Sequence, residues 1–182
     1  MNDFHEMLLK RHSIRRYTDQ DLNPDDVKTI LEAALLAPSS KSARSWQFVV
    51  IEDRDMLERL SHLKPAYAAS VKDARLAVVV TSDPAKSEAY IEDASVAAIF
   101  MHLQAEALGI GSCWVQIRGR MADDARSSED YVRDLLAIPE GMNVECVMTF
   151  GYSAETRKPV DPSKLQWEKV HCGTWNNGAD KA

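Results

Sequence analysis

Six consecutive apolar residues, Val96-Ala97-Ala98-Ile99-Phe100-Met101, stand in the middle of residues 90–109. At 3.6 residues per turn they leave a helix without a polar side for more than a turn. A helix that is apolar all round must be covered, either in a core or by a partner subunit. Gly109 supplies its stop, because glycine accepts the left-handed conformation at a helix end. The stretch is too short and too interrupted to span a bilayer, and no apolar run elsewhere in the chain reaches the roughly 20 residues required. No membrane association is expected.

The rest of the chain supplies the material for such a cover. Its 182 residues, 45% hydrophobic and 27% charged, suit one compact domain over residues 1–182. A formal net charge of −6 disfavours a nucleic-acid partner, which would call for a basic surplus. The opening MNDFHEMLLKRHS carries acids and no apolar core, so it is not expected to be a secretory signal. Cys113, Cys146 and Cys172 lack C-x-x-C spacing, and the five histidines form no H-E-x-x-H pattern. Reduced thiols, no metal and a cytoplasmic location are the expectation.

Residues 2–11 have helical spacing, with Phe4, Met7 and Leu8 apolar. A second helix is announced by Asn23 as cap, Pro24 at its first position and Asp25 and Asp26 in its first turn. Val27, Ile30, Leu31, Ala34 and Leu35 then mark one buried face, and Pro38 ends the helix. Phe48 to Ile51 predicts a strand, Met56 to Leu63 a short helix, and Arg75 to Thr81 a strand apolar on both faces, suited to mid-sheet. GSCWVQI predicts a strand, Asp130 to Leu136 a helix, and VECVMTFGY a last strand. From residue 153 the chain reads as an extended arm reaching 182. The expected class is α+β, a central, mostly antiparallel sheet with helices on both faces.

Three segments could carry chemistry. In Arg11-His12-Ser13-Ile14-Arg15-Arg16, an extended backbone puts residues 11, 13 and 15 on one side, two guanidinium forks and a hydroxyl suited to a phosphate. A solvated basic loop would look the same. Pro38-Ser39-Ser40-Lys41-Ser42-Ala43-Arg44-Ser45-Trp46 offers hydroxyl and backbone donors to a polar ligand edge, or is an ordinary helix-to-strand turn. In Leu108-Gly109-Ile110-Gly111-Ser112-Cys113-Trp114 the glycines permit close backbone approach. They follow a helix and precede a strand, which contradicts a Rossmann fingerprint.

Taken in order, RHSIRRYTD, a helix ending APSSKSARSWQFVV, the apolar helix running into LGIGSCW, and the late GYSAETRKP resemble the nitroreductase family of FMN-dependent oxidoreductases. The resemblance runs from Met1 to about Trp175. It implies an intertwined homodimer with FMN at the subunit interface and the apolar helix 90–109 in the dimer core. It implies that Arg11, Ser13 and Arg15 hold the phosphate and ribityl side, with backbone contacts from His12. Pro38, Ser39, Ser40 and Ser42 would reach the flavin from the other subunit. Val115 and Gln116 would lie near flavin N5, and Arg157 or Lys158 would add a cation to the phosphate. Ser42 and Arg44 stand where the family has Asn and Gln. A fixed cation at Arg44 would favour the anionic reduced flavin and raise its potential.

The implied reaction is ping-pong transfer of reducing equivalents from NADH or NADPH to a small-molecule acceptor such as a nitroaromatic or quinone. No side chain is required as an acid or base. Alternatives are a flavin store or regulator without turnover, and flavin-fragmenting or dehalogenating chemistry on the same fold.

Overall fold

A computed structural model describes residues 3–66 and 68–175. Backbone contacts divide the chain into two compact units, residues 12–156 and the terminal segments up to residue 11 and from residue 157.

The larger unit is built on a four-stranded sheet. Its strands are β1 (Trp46–Ile51), β2 (Leu76–Ser82), β3 (Gly111–Gln116) and β4 (Asn143–Gly151), in spatial order β1-β2-β4-β3 with every pairing antiparallel. The central strands β2 and β4 are buried at every position. Alternation along β2 explains its unbroken apolar sequence. Leu76, Val78 and Val80 enter one core, and Ala77 and Val79 enter the other.

The first core is closed by α2 (Pro24–Leu35) and α5 (Tyr90–Ala107). The second is closed by α3 (Arg54–Leu60), the single turn α4 (Ser70–Asp73) and α6 (Ser128–Leu136). Each fully buried Val, Leu or Ile contributes about 1.5–3 kcal/mol. Helices therefore lie on both faces of an antiparallel sheet, as the pattern predicts.

Local signals place the helix ends. Asn23 caps α2, its side-chain oxygen accepting from the Asp25 N–H at 3.0 Å. At the end of α5, the Gly109 N–H donates to the Glu106 carbonyl at 3.0 Å and Ile110 N–H to the Ala105 carbonyl at 2.8 Å. This paired C-terminal cap needs the φ of +73° that Gly109 adopts. α2 departs from expectation at Leu35, which is 61% exposed. It lies beside exposed Leu36 and opposite the face formed by Val27, Ile30, Ala33 and Ala34.

The apolar helix α5 is covered on one side only. Ala94, Ala97, Ala98, Met101 and Ala105 are buried, while Ile99 and Phe100 are 44% and 37% exposed. Among the described residues no helix is long and apolar enough to cross a membrane.

The terminal unit joins α1 (Asp3–Lys10) to the chain after Arg157. The Val160 N–H donates to the Leu9 carbonyl at 2.7 Å. Two 3-10 turns follow, Pro162–Lys164 and Trp167–Lys169, and His171 stacks on Trp175. Phe4, Trp167, Val170 and Trp175 are exposed, so this unit buries little. The end of the expected arm, residues 176–182, lies outside the described residues, as does Asn2.

Candidate functional site

The segment from His12 to Tyr17 runs extended along the open edge of β3. Ser13 forms a parallel bridge with Ser112, and the Ile14 N–H donates to the Ser112 carbonyl at 2.9 Å. Ile14 turns inward, 7% exposed, against Gly111. That contact requires glycine: a Cβ at position 111 would stand 2.9 Å from Ile14 Cγ2.

Alternation then turns Ser13 and Arg15 away from Ile14, as an extended reading requires. Tyr17 locks the far end. Its hydroxyl donates to the Ile14 carbonyl at 2.7 Å and meets Thr149 Oγ1 at 2.8 Å. Burial pushes that phenol well above its ordinary pKa.

Two cations meet at this strand edge. The Arg15 N–H donates to Glu155 Oε1 at 2.9 Å, while Glu155 Oε2 lies 3.7 Å from the Arg16 guanidinium. Among the described residues the Arg15 side chain forms no ion pair, and it is exposed. Lys64, from the turn after α3, donates through Nζ to the Gln116 carbonyl at 3.3 Å. Partial burial and the nearby Arg120 charge lower its pKa.

Cys113 lies among them, its thiol donating to the Trp114 carbonyl at 3.5 Å, beside Ser13 and within the fields of Arg15 and Lys64. Burial still wins and raises the thiol's pKa. A cleft of 390 Å³ opens beside Lys64, lined also by Glu58, Ser61, His62, Ala68 and Lys72. An acidic chain thus carries a local basic edge with a hydroxyl and an adjoining cleft, a donor set suited to an anionic ligand.

The end of β3 is fixed by its own side chains. Trp114 Nε1 donates to Gln116 Oε1 at 2.8 Å, and Gln116 Nε2 donates to the Arg118 carbonyl at 3.0 Å. Val115 is 2% exposed and belongs to the second core. Residues 115 and 116 therefore offer main chain, and their side chains serve the fold. Glu145, buried, holds Arg118 Nε at 2.8 Å and so anchors the chain leaving this strand.

The serine-rich loop is a separate cluster. Pro38 is exposed and Ser39 extended; a 3-10 turn follows at Ser40–Ser42. Lys41, Ser42 and Arg44 have φ values of 50°, 55° and 47°. Each left-handed non-glycine residue costs about 1–2 kcal/mol. Ser39 Oγ accepts the Arg44 N–H at 2.9 Å, and the Ser40 N–H donates to Asp93 Oδ1 at 2.7 Å. Ser42 and Arg44, the departures from the family pattern, are both exposed at the loop's outer side.

The structure thus brings Ser13 and Arg15 together with the β3 edge and holds Ser39, Ser40, Ser42 and Arg44 in one strained loop. His12 opens the larger unit, half-buried. Arg11, Arg157 and Lys158 belong to the terminal unit, where the Arg11 N–H donates to the Met7 carbonyl. Sequence reasoning missed Lys64 and Asp93. No periodicity links either to its partner, since Lys64 reaches across 52 positions and Asp93 across 53. Among the described residues no group of three or more His, Cys, Asp or Glu could hold a metal.

An α+β sheet with helices on both faces, a basic segment laid on one edge strand and a serine loop before the other edge strand describe a known class. The nitroreductase family model matches residues 8–66 and 61–152. The chain belongs to the nitroreductase family.

A solved Clostridium difficile structure, an FMN-dependent nitroreductase, is 42% identical with a TM-score of 0.92, over 94% of this chain and 99% of that one. An Archaeoglobus fulgidus protein carrying the name NADH dehydrogenase/NAD(P)H nitroreductase is 31% identical over 96% of this chain and all of its own. A Bacillus subtilis FMN reductase (NADPH) is 24% identical over 99% of this chain and 77% of its own length.

Proposed function

We propose that the protein is an FMN-dependent oxidoreductase. It passes reducing equivalents from NADH or NADPH to a small organic acceptor, a nitroaromatic, a quinone or similar, by a ping-pong mechanism, as a cytoplasmic homodimer.

The observation that carries this reading is the basic edge of β3. Arg15, the Ser13 hydroxyl and Lys64 lie along β3 around Cys113, from Ser112 near its start to Gln116 at its end, in a chain of net charge −6. They fit the anionic and polar parts of FMN. Arg15 suits a phosphate through its planar fork, and Ser13 can donate to the same group. Lys64, ammonium beside the Gln116 carbonyl, suits an electron-rich ring edge. FMN, when bound, supplies the redox chemistry, accepting hydride from the nicotinamide and releasing electrons to the acceptor. The protein's part is to hold, orient and polarise.

The outward side of α5 supports the homodimer. Ile99 and Phe100, with Leu35 and Leu36 on α2 and the residue after it, form exposed apolar surface that a second copy would cover.

The deciding experiment is the absorbance spectrum of the purified protein under nitrogen, before and after NADH or NADPH. A yellow protein bleached by either donor, and recoloured by a quinone or nitroaromatic, is expected. A yellow protein that neither donor bleaches would make it a flavin store or regulator. A colourless protein that takes up no FMN would refute the reading altogether.

A further inference from the structure

Among the described residues, non-glycine positions with positive φ concentrate in one place. Lys41, Ser42 and Arg44 fall within four positions, and the remaining one, Ala137, sits at the C-cap of α6. Isolated, such a loop would relax, since left-handed backbone persists in bulky residues only where the surroundings over-determine it. Within the loop the Ser39 hydroxyl and carbonyl and the Ser40 carbonyl accept backbone N–H groups, and from outside it one buried carboxylate bonds the Ser40 N–H and the Ser45 hydroxyl.

Asp93, in the first turn of α5, is 4% exposed. Its Oδ1 accepts the Ser40 N–H at 2.7 Å. Its Oδ2 accepts the Ser87 hydroxyl at 2.7 Å and the Ser45 hydroxyl at 3.4 Å. A carboxylate this deep is tolerated only when its oxygens are satisfied, and bonds to a charged acceptor are the stronger kind. Asp93 therefore ties both ends of the loop, at Ser40 and Ser45, to α5 and to the turn containing Ser87. α5 is also the helix whose far side exposes Ile99 and Phe100.

We infer that Asp93 is a positioning residue: it holds Ser39–Arg44 in the strained conformation that presents its hydroxyls and amides to FMN, and it references that loop to the helix facing the second subunit. The inference rests on the proposed FMN function, since Asp93 itself touches no ligand. It explains why a non-glycine loop keeps three left-handed residues.

The test uses full-length Asp93→Ala, Asp93→Asn and Ser87→Ala. Trypsin cuts after Lys41 and Arg44, so cleavage of the apoprotein, mapped by mass spectrometry, reads loop position without flavin. Cleavage after Lys28 and Arg133 reports the helices. FMN affinity is measured separately by fluorescence titration.

Asp93→Ala should speed cleavage after Lys41 and Arg44 and weaken FMN binding, each by roughly tenfold or more, because it removes all three hydrogen bonds to the carboxylate, including the 2.7 Å bond from the loop's own Ser40 N–H. Lys28 and Arg133 should be cut as in the parent. Asp93→Asn should recover most of both effects, because its amide oxygen still accepts from Ser40 and its NH₂ can donate to the two serine hydroxyls. Ser87→Ala should fall between.

Uniformly faster cleavage at all sites, a freed loop with unchanged FMN affinity, or Asn no better than Ala would each overturn the proposal. If Asp93→Ala does not fold, Ser87→Ala decides: loop-specific cleavage supports the proposal, and a parent-like pattern overturns it. If the parent binds no FMN, the functional reading fails, and the cleavage pattern alone judges whether Asp93 holds the loop.

Discussion

Gly111→Ala should disturb the basic edge without touching it. A Cβ there would lie 2.9, 3.0 and 3.1 Å from Cγ2, Cβ and Cγ1 of Ile14. Non-bonded carbons prefer about 3.5–4.0 Å, so Ile14 must retreat by roughly half an ångström or more. It cannot rotate away, because it is branched at Cβ and buried. The backbone that carries it must move, straining the 2.9 Å bond from its N–H to Ser112 and displacing its neighbours Ser13 and Arg15.

Overpacking of this kind costs about 1–3 kcal/mol, and alanine returns about 0.5–1 kcal/mol of chain entropy relative to glycine. The net is a loss of up to about 2.5 kcal/mol, a fall in Tm of up to about 10 °C for a chain of this size. FMN affinity should drop about tenfold as the two side chains leave register.

The check is urea unfolding followed by tryptophan fluorescence, with an FMN titration alongside, for Gly111→Ala, Ile14→Ala and the double variant. Ile14→Ala deletes both Cγ contacts, so the double variant should be more stable than the sum of the singles, by about 1 kcal/mol or more. Additivity within about 0.5 kcal/mol, or a Gly111→Ala protein that binds FMN as the parent does, would refute the argument.

Arg15→Ala should weaken FMN binding about ten- to a hundredfold while leaving the unfolding midpoint nearly unchanged, since the side chain is exposed; unchanged affinity would remove it from the phosphate site. Phe100→Asp should convert the proposed dimer to monomer or aggregate by light scattering, with FMN lost in parallel, and a flavin-loaded monomer in parent or variant would end the dimer reading. Cys172, exposed, should be alkylated at pH 8, whereas Cys113 and Cys146 should react only on unfolding, because burial raises both thiols above their ordinary value of 9.0. The sign follows from linkage: the neutral buried thiols contribute stability that is complete below about pH 9.0 and is lost as pH rises through their folded-state values.

What the residues determine by themselves is what short-range physics can decide. Asn23 and Pro24 start α2, Gly109 stops α5, and the unbroken apolar run of β2 puts that strand mid-sheet, because caps and periodicity act within one or two turns. The extended course of His12–Tyr17, with Ile14 inward and Ser13 and Arg15 outward, follows from alternation alone once the segment is a strand.

Tertiary structure decided the rest. The single turn α4 is too short to show a period. Leu35 fits the apolar stripe of α2 yet faces outward, because the width of the buried face is set by what packs on it. Gln116 is a polar residue near the site whose carboxamide is spent on Trp114 and Arg118. Lys64 and Asp93 reach their partners across 52 and 53 positions, and no local pattern can carry a contact between residues that only folding brings within 3.3 and 2.7 Å.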